Sequence, residues 1–349
     1  MNGMANHNRS DNTFYVGGGA AKTPEQVKVL KSKYENFDIN IIKEIFKDVL
    51  NANIDKIVKP NIVGLPHVTY FVEADGKHYC FRSNLGSDAP ETELIIEKIA
   101  SNLAAKHGIP TNHILYVDCS RKKYKFDFQI QERLFGENPE HNFKGNKDDY
   151  DKISFELGQI IAKLSGIKTE GYGRFDKKIA AKENRLLGMT DSNYNYILTE
   201  LESQLETILK AGHLTKDQHQ KILKLFQDSK DLVTVESGSL VHYDLADHNL
   251  LYDPKTFKIV GIFDWEAVCS SDPMLDLGSA PTWKPLYERE SKMIEGYESI
   301  KTLPDNFREK INIYRLRTII WKIVHNIKFD MLSPERLARL ANALKPFNI

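Results

Sequence analysis

A chain of 349 residues is long enough to bury two sizeable cores, and its 41% hydrophobic and 28% charged content is that of an ordinary globular protein. Its 48 basic and 48 acidic side chains cancel, which speaks against a protein built to hold nucleic acid. No apolar run approaches membrane-spanning length and no charged-then-apolar leader opens the chain, so neither a membrane nor a nucleic-acid partner is expected.

Residues 1–22, rich in Asn, Gly and small polar residues, are expected to form a disordered tail. The run Gly17-Gly18-Gly19-Ala20-Ala21-Lys22-Thr23 is not a P-loop, whose pattern needs glycines where Val16 and Ala21 stand. Thr23-Pro24-Glu25 predicts a helix start, and Ile41, Ile42, Ile45, Phe46, Val49 and Leu50 form the apolar stripe of a second helix. From Ile54 the pattern turns to strands: Ile57-Val58, Ile62-Val63, Val68–Val72 and His78–Arg82, with Asp75-Gly76 as a hairpin turn. A helix is expected over Glu91–Lys106, and Ile114–Val117 and Phe126–Ile130 complete a small lobe of five strands.

Gln131–Gly136 and the polar segment after it lead into a second lobe. Residues 151–235 read as helical, with an apolar face over Ile153–Leu164 and amphipathic helices at Tyr194–Leu209 and Thr215–Phe226; Gly171–Phe175 reads as a turn. The chain beyond Asp276 is predicted helical, with a stripe of Tyr314, Leu316, Ile319, Ile320, Ile323 and Ile327. Cys80, Cys119 and Cys269 are far apart and follow no metal-binding spacing, which predicts a reducing, cytoplasmic setting. There is no internal repeat and no dimerisation heptad, and a monomer is expected.

The chemistry concentrates in Leu240–Asp276. Asn249 lies five residues after Asp244. Leu250–Tyr252 can run outward, Asp253–Thr256 supplies a turn and Phe257–Phe263 can run back, which returns Asp264 to the neighbourhood of Asn249. One carboxylate and one amide oxygen are hard ligands suited to Mg²⁺ carrying phosphates, and Asp244 is then left to orient an attacking hydroxyl. A solvated acidic hairpin is the plain alternative. A zinc site of His242, Asp244 and His248 is a further one, but it lacks cysteine support and a nearby fourth ligand.

The motifs His242-Tyr243-Asp244-Leu245-Ala246-Asp247-His248-Asn249, Ile262-Phe263-Asp264-Trp265-Glu266 and Asp272-Pro273-Met274-Leu275-Asp276-Leu277 resemble those of the aminoglycoside phosphotransferase and choline kinase family. Tyr243 departs from the family's usual Gly, and its ring is expected to narrow the acceptor site. The resemblance covers roughly residues 55–330, and it implies a protein-kinase-like α+β fold. A nucleotide-binding lobe (23–136, hinge near 131–136) carries a five-stranded antiparallel sheet and a helix. A mainly helical catalytic and substrate lobe follows (137–349).

It further implies Asp244 as the catalytic base, Asn249 and Asp264 as ligands of Mg²⁺, and ATP or GTP as phosphoryl donor. Arg82 is implied as the nucleotide-binding cation, with Glu97 as its partner and Glu93 as the competitor one turn earlier. The main chain at Glu132 and Leu134 is implied to hold the base, with Gly64–Tyr70 as the phosphate-covering hairpin. His242 and Asp276 are expected to support the loop, and Trp265 to pack in the core. Glu266 is open between metal, acceptor and structure. Gly171–Phe175 and Ala280–Leu286 are similar to segments of hygromycin-type phosphotransferases. With the acids Asp247, Glu266 and Asp272 near the loop, they point to a cationic, aminoglycoside-like hydroxyl acceptor and a role in antibiotic resistance. A metabolic amino-alcohol or sugar kinase, or a non-catalytic nucleotide binder on the same fold, is the alternative. A protein kinase is disfavoured, since Asp264 sits in F-D-W rather than D-F-G and no A-P-E follows.

Overall fold

The computed structural model describes residues 32, 36–60, 67–84 and 92–349. The expected tail, the helix start at Thr23, the strand Ile62-Val63 and the Gly64–Pro66 part of the phosphate-covering hairpin lie outside them. Helix α1 (Asn40–Leu50) precedes β1 (Ile54–Val58), β2 (Val68–Ala74), β3 (Lys77–Ser83), α2 (Leu94–Lys106), β4 (Ile114–Asp118) and β5 (Phe128–Glu132). There follow α3 (Pro139–Asn142), α4 (Lys147–Leu164), β6 (Lys168–Thr169), β7 (Tyr172–Phe175), α5 (Lys177–Glu183) and β8 (Gly188–Thr190). Next come α6 (Asn193–Leu198), α7 (Leu201–Lys210), α8 (Lys216–Asp228), α9 (Lys230–Val233) and β9 (Gly238–Val241). The chain ends with β10 (Leu250–Tyr252), β11 (Ile259–Ile262), β12 (Cys269–Ser271), α10 (Met274–Ser279), α11 (Glu290–Glu298), α12 (Phe307–Lys328) and α13 (Pro334–Leu344).

The chain forms two units. Among the described residues, the first contains those up to 145 together with 180–184 and 247–266, and the second contains 146–179, 185–246 and 267–349. In the first, an antiparallel sheet of order β1-β2-β3-β5-β4 packs its apolar face on α1. Alternation along β2 buries Val68, Tyr70, Val72 and Ala74, which meet Ile42, Ile45 and Phe46 of α1 and Phe81, Phe128 and Ile130 of the neighbouring strands. Helix α2 is fixed to β4 by Asn102, whose amide donates to the Ile114 carbonyl and whose oxygen accepts the Ile114 N–H, both at 3.0 Å. The β10–β11 hairpin joins this unit: Tyr252 and Glu137 exchange two 2.9 Å backbone bonds, and Ile262 N–H donates to the Pro110 carbonyl at 2.8 Å.

The second unit is helical around a second sheet, of order β6-β9-β12-β7-β8, which the sequence reading did not anticipate. Residues 151–235 are therefore not all helical, and Gly171–Phe175 contributes a strand rather than a turn. The expected helix Tyr194–Leu209 is broken into α6 and α7, with Glu200 at φ 58° between them. Helices α4 and α11 approach closely because Gly158 and Gly296 lack side chains: a Cβ at either would sit 1.9 Å from a backbone oxygen of the other helix.

Candidate active site

In the second unit, the fully buried strand β9 delivers the chain into the loop His242–Ala246. Asp276, in the first turn of α10, accepts the backbone N–H of His242 at 3.0 Å and of Tyr243 at 2.8 Å, one on each carboxylate oxygen. Burial pushes the Asp276 carboxyl up to about 7, the two N–H donors pull it down, and the charge of Asp244 raises it. His242 is wholly buried, and its Nδ1 accepts the Asp244 N–H at 3.3 Å, which places the ring proton on Nε2 when the imidazole is neutral. Arg289, 1% exposed, donates to the Leu245 carbonyl at 3.2 Å. The backbone on both sides of Asp244 is thus held by buried side chains.

Tyr243 has φ 66°, the left-handed region that glycine enters without strain. The usual Gly of the resembling motif has this physical reason. Burial raises the Tyr243 phenol above its ordinary value, with Arg317 and Thr318 of α12 beside it.

In the first unit, β10 and β11 pair with Leu250 opposite Ile262, and the Phe263 N–H donates to the Asn249 carbonyl at 3.1 Å. Asn249 and Asp264 therefore flank the closing end of one hairpin, as the motif spacing predicted. Asn249 is 2% exposed, and the hairpin base is fixed by Asn138, whose amide donates to the carbonyls of His248 and Leu250 at 3.0 Å each. Asp264 has φ 66°. Trp265 is fully buried and its indole N–H donates to Thr111 Oγ1 at 2.8 Å, the packing role expected of it.

Arg82 on β3 and Glu97 on α2 form a bidentate pair: one guanidinium nitrogen lies 2.7 and 2.9 Å from the two carboxylate oxygens. Glu97, rather than Glu93, is the partner. The second guanidinium nitrogen reaches Glu266 Oε1 at 3.0 Å, and His67 Nε2 lies 2.6 Å from the same oxygen. Burial works against the Arg82 charge, but Glu97, then Glu266 and Asp264, outweigh it and hold the guanidinium above its ordinary value. Burial raises the Glu97 carboxyl against the pull of Arg82. Glu266 thus forms an ion pair with Arg82.

At the hinge, the Glu132 N–H donates to the His113 carbonyl at 2.9 Å and the Arg133 N–H to the His78 carbonyl at 3.1 Å. A base at Glu132 would therefore meet its carbonyl rather than its N–H. Leu134 lies over Gly261 of β11, where a Cβ would come within 2.4 Å of Leu134 Cδ1.

The acids expected to attract a cationic acceptor are placed otherwise. Asp272 accepts from Lys310 Nζ at 2.7 Å and from the Tyr314 hydroxyl at 3.0 Å, Asp247 is 3% exposed, and Glu266 holds Arg82. His248 pairs with Glu140 at 2.8 Å. Among the described residues no group of three or more His, Cys, Asp or Glu is placed to hold a metal, and no helix is long and apolar enough to cross a membrane.

A family model described as "Phosphotransferase enzyme family" matches residues 58–297. The chain belongs to that family. Among curated proteins none matches this phosphotransferase. Solved structures match it in fold. The crystal structure of aminoglycoside phosphotransferase APH(4)-Ia shares 13% identity with it at a TM-score of 0.64, over 88% of this chain and 99% of that one. A ternary complex of a thermostable mutant of APH(4)-Ia with AMP-PNP and hygromycin B aligns at 14% identity and TM-score 0.65, over 87% and 98% of the two chains. A fructosamine-3-kinase described as putative, from Thermobifida fusca YX-ER1, aligns at 14% identity and TM-score 0.61, over 88% and 100%. The phosphotransferase thus has the protein-kinase-like fold, with the five-stranded antiparallel sheet and mainly helical remainder expected of it.

Proposed function

We propose that this phosphotransferase moves the γ-phosphoryl group of ATP or GTP to a hydroxyl of a small polar acceptor. The nucleotide falls to the lobe of residues 23–136, and catalysis and acceptor binding fall to residues 137–349. Asp244 accepts or orients the proton of the attacking hydroxyl. His242, Asp276 and Arg289 hold the backbone around Asp244. Arg82 offers a fork of donors to the phosphates, oriented by Glu97. The carbonyl of Glu132 and the main chain at Leu134 receive the base.

Asp264 and Asn249 would hold Mg²⁺. An acid and an amide at one hairpin end are a hard, incomplete oxygen set that leaves room for phosphate oxygens. When bound, the ion neutralises phosphate charge during transfer.

The observation that carries this reading is the β10–β11 register, which brings Asn249 and Asp264 together five and twenty residues after Asp244. The same fold in proteins described with AMP-PNP and hygromycin B, and as a fructosamine-3-kinase, supports a small hydroxyl acceptor. It is also what remains of the case for an aminoglycoside-like acceptor and antibiotic resistance, because Asp272, Asp247 and Glu266 are engaged or buried. We place the protein in the cytoplasm as a monomer.

The test is nucleotide- and Mg²⁺-dependent phosphate incorporation across a panel of hydroxyl acceptors that includes aminoglycosides, fructosamines and neutral sugars. Transfer to one acceptor class supports the reading. Nucleotide binding with no transfer to any acceptor would make the protein a binder on this fold.

A further inference from the structure

In the second unit, Lys322 is a basic side chain that the proposed chemistry does not use. Lys322 stands in the apolar stripe of α12, between Ile320 and Ile323, which are both buried. Its Nζ lies 3.2 Å from the centroid of the Trp283 ring and donates to Thr282 Oγ1 at 2.5 Å. Asp244 is the carboxylate whose charge acts on it, and Arg336 and Arg339 of α13 are the cations that act on it. Arg339 also donates to the Thr282 carbonyl at 3.2 Å, and Glu335 pairs with Arg339 and with Lys284. The charged groups that these interactions name are thus four basic ones, Lys322, Arg336, Arg339 and Lys284, against two acids, Asp244 and Glu335. This surrounding repels a cation and attracts an anion.

We propose that Lys322 selects the acceptor: the hydroxyl presented to Asp244 belongs to a molecule that also carries a carboxylate or phosphate, and Lys322 binds that anionic group. The inference rests on the kinase reading above and assigns the acceptor's charge. Trp283 and Thr282 fix the Lys322 amine in one place, so that little side-chain freedom remains to be lost on binding. Burial pushes the Lys322 amine well below its ordinary value, so an arriving anion also favours its protonation. The acids that would have held amino groups face other partners in this protein, which agrees with an anionic acceptor.

Calorimetric titration separates this proposal from the kinase reading, because it needs no turnover. The probes are gluconate, ribose 5-phosphate, sorbitol and glucosamine, each added to the full chain with a non-hydrolysable nucleotide and Mg²⁺. At least one of the two anions is expected to bind more than tenfold tighter than sorbitol, and which one does so distinguishes a carboxylate from a phosphate. Lys322→Met should lose that tenfold, while Lys322→Arg should restore most of it; melting temperatures report whether each variant is folded. Tighter binding of glucosamine, binding of neither anion, or an unchanged anion preference in folded Lys322→Met would overturn it. An anion that binds in this way without being phosphorylated upholds the assignment of Lys322, whereas absence of transfer to every acceptor of the panel above sinks the kinase reading alone.

Discussion

Arg82 and Glu97 meet through both carboxylate oxygens of Glu97, at 2.7 and 2.9 Å from one guanidinium nitrogen. Glu97 is fully buried and the Arg82 side chain is 13% exposed, so removing one partner strands a charge, a loss of about 3–5 kcal/mol for buried pairs. Arg82→Ala should raise the nucleotide KM. Glu97→Ala should do so more mildly, because Glu266 still holds the guanidinium at 3.0 Å. A double-mutant cycle on nucleotide affinity should show coupling between Arg82 and Glu97, and purely additive effects would break the assignment.

Asp276 predicts a pH dependence of stability. Its folded value of about 7 lies above the ordinary 3.8, so the folded protein binds more protons than the unfolded chain between those values. Stability should therefore fall as pH rises through that window, by at most ~1.4 kcal/mol per pH unit. Denaturant titrations of wild type and Asp276→Asn from pH 4 to 8 check this. The variant should be less stable but should lack the slope, and identical slopes would remove Asp276 as its source.

Much of this site was legible because its logic is local. The hairpin returning Asp264 to Asn249 follows from two apolar runs around Asp253-Pro254, and Asp276 sits at a fixed distance behind the loop. The second sheet was not legible. Its strands are two to four residues long and β9 is buried at every position, so no alternation marks them. The Arg82–Glu266 pair joins residues 184 apart and no local pattern announces it. Asp272 resembled a site acid until Lys310 and Tyr314 of α12 accounted for it. Lys322 did leave a trace, a lysine inside an apolar stripe.

Metal dependence should divide unequally between the two hairpin residues. Asp264→Ala is expected to abolish the Mg²⁺ dependence of nucleotide binding, and Asn249→Ala to weaken it less, because an anionic ligand contributes more to a dication than an amide does. Fluorescence titrations of nucleotide with and without Mg²⁺ measure both. An unaltered Mg²⁺ dependence in Asp264→Ala would contradict the assignment.

Tyr243 at φ 66° bears a strain of about 1–2 kcal/mol that glycine would not. Tyr243→Gly should recover part of it and lose the ring's contacts near Arg317 and Thr318, for a net change within about 1 kcal/mol. Tyr243→Val, β-branched at the same φ, should destabilise more. Thermal unfolding of the three proteins tests this order, and a Val variant as stable as wild type would contradict it.

The central claim is that Asp244 acts on the acceptor hydroxyl and not on the nucleotide. The direct measurement is kcat of Asp244→Asn with the best acceptor found, alongside the Kd of its Mg²⁺–nucleotide complex. The account predicts a fall in kcat by orders of magnitude with the Kd nearly unchanged. Turnover surviving within about tenfold, or ~1.4 kcal/mol of barrier, would contradict it.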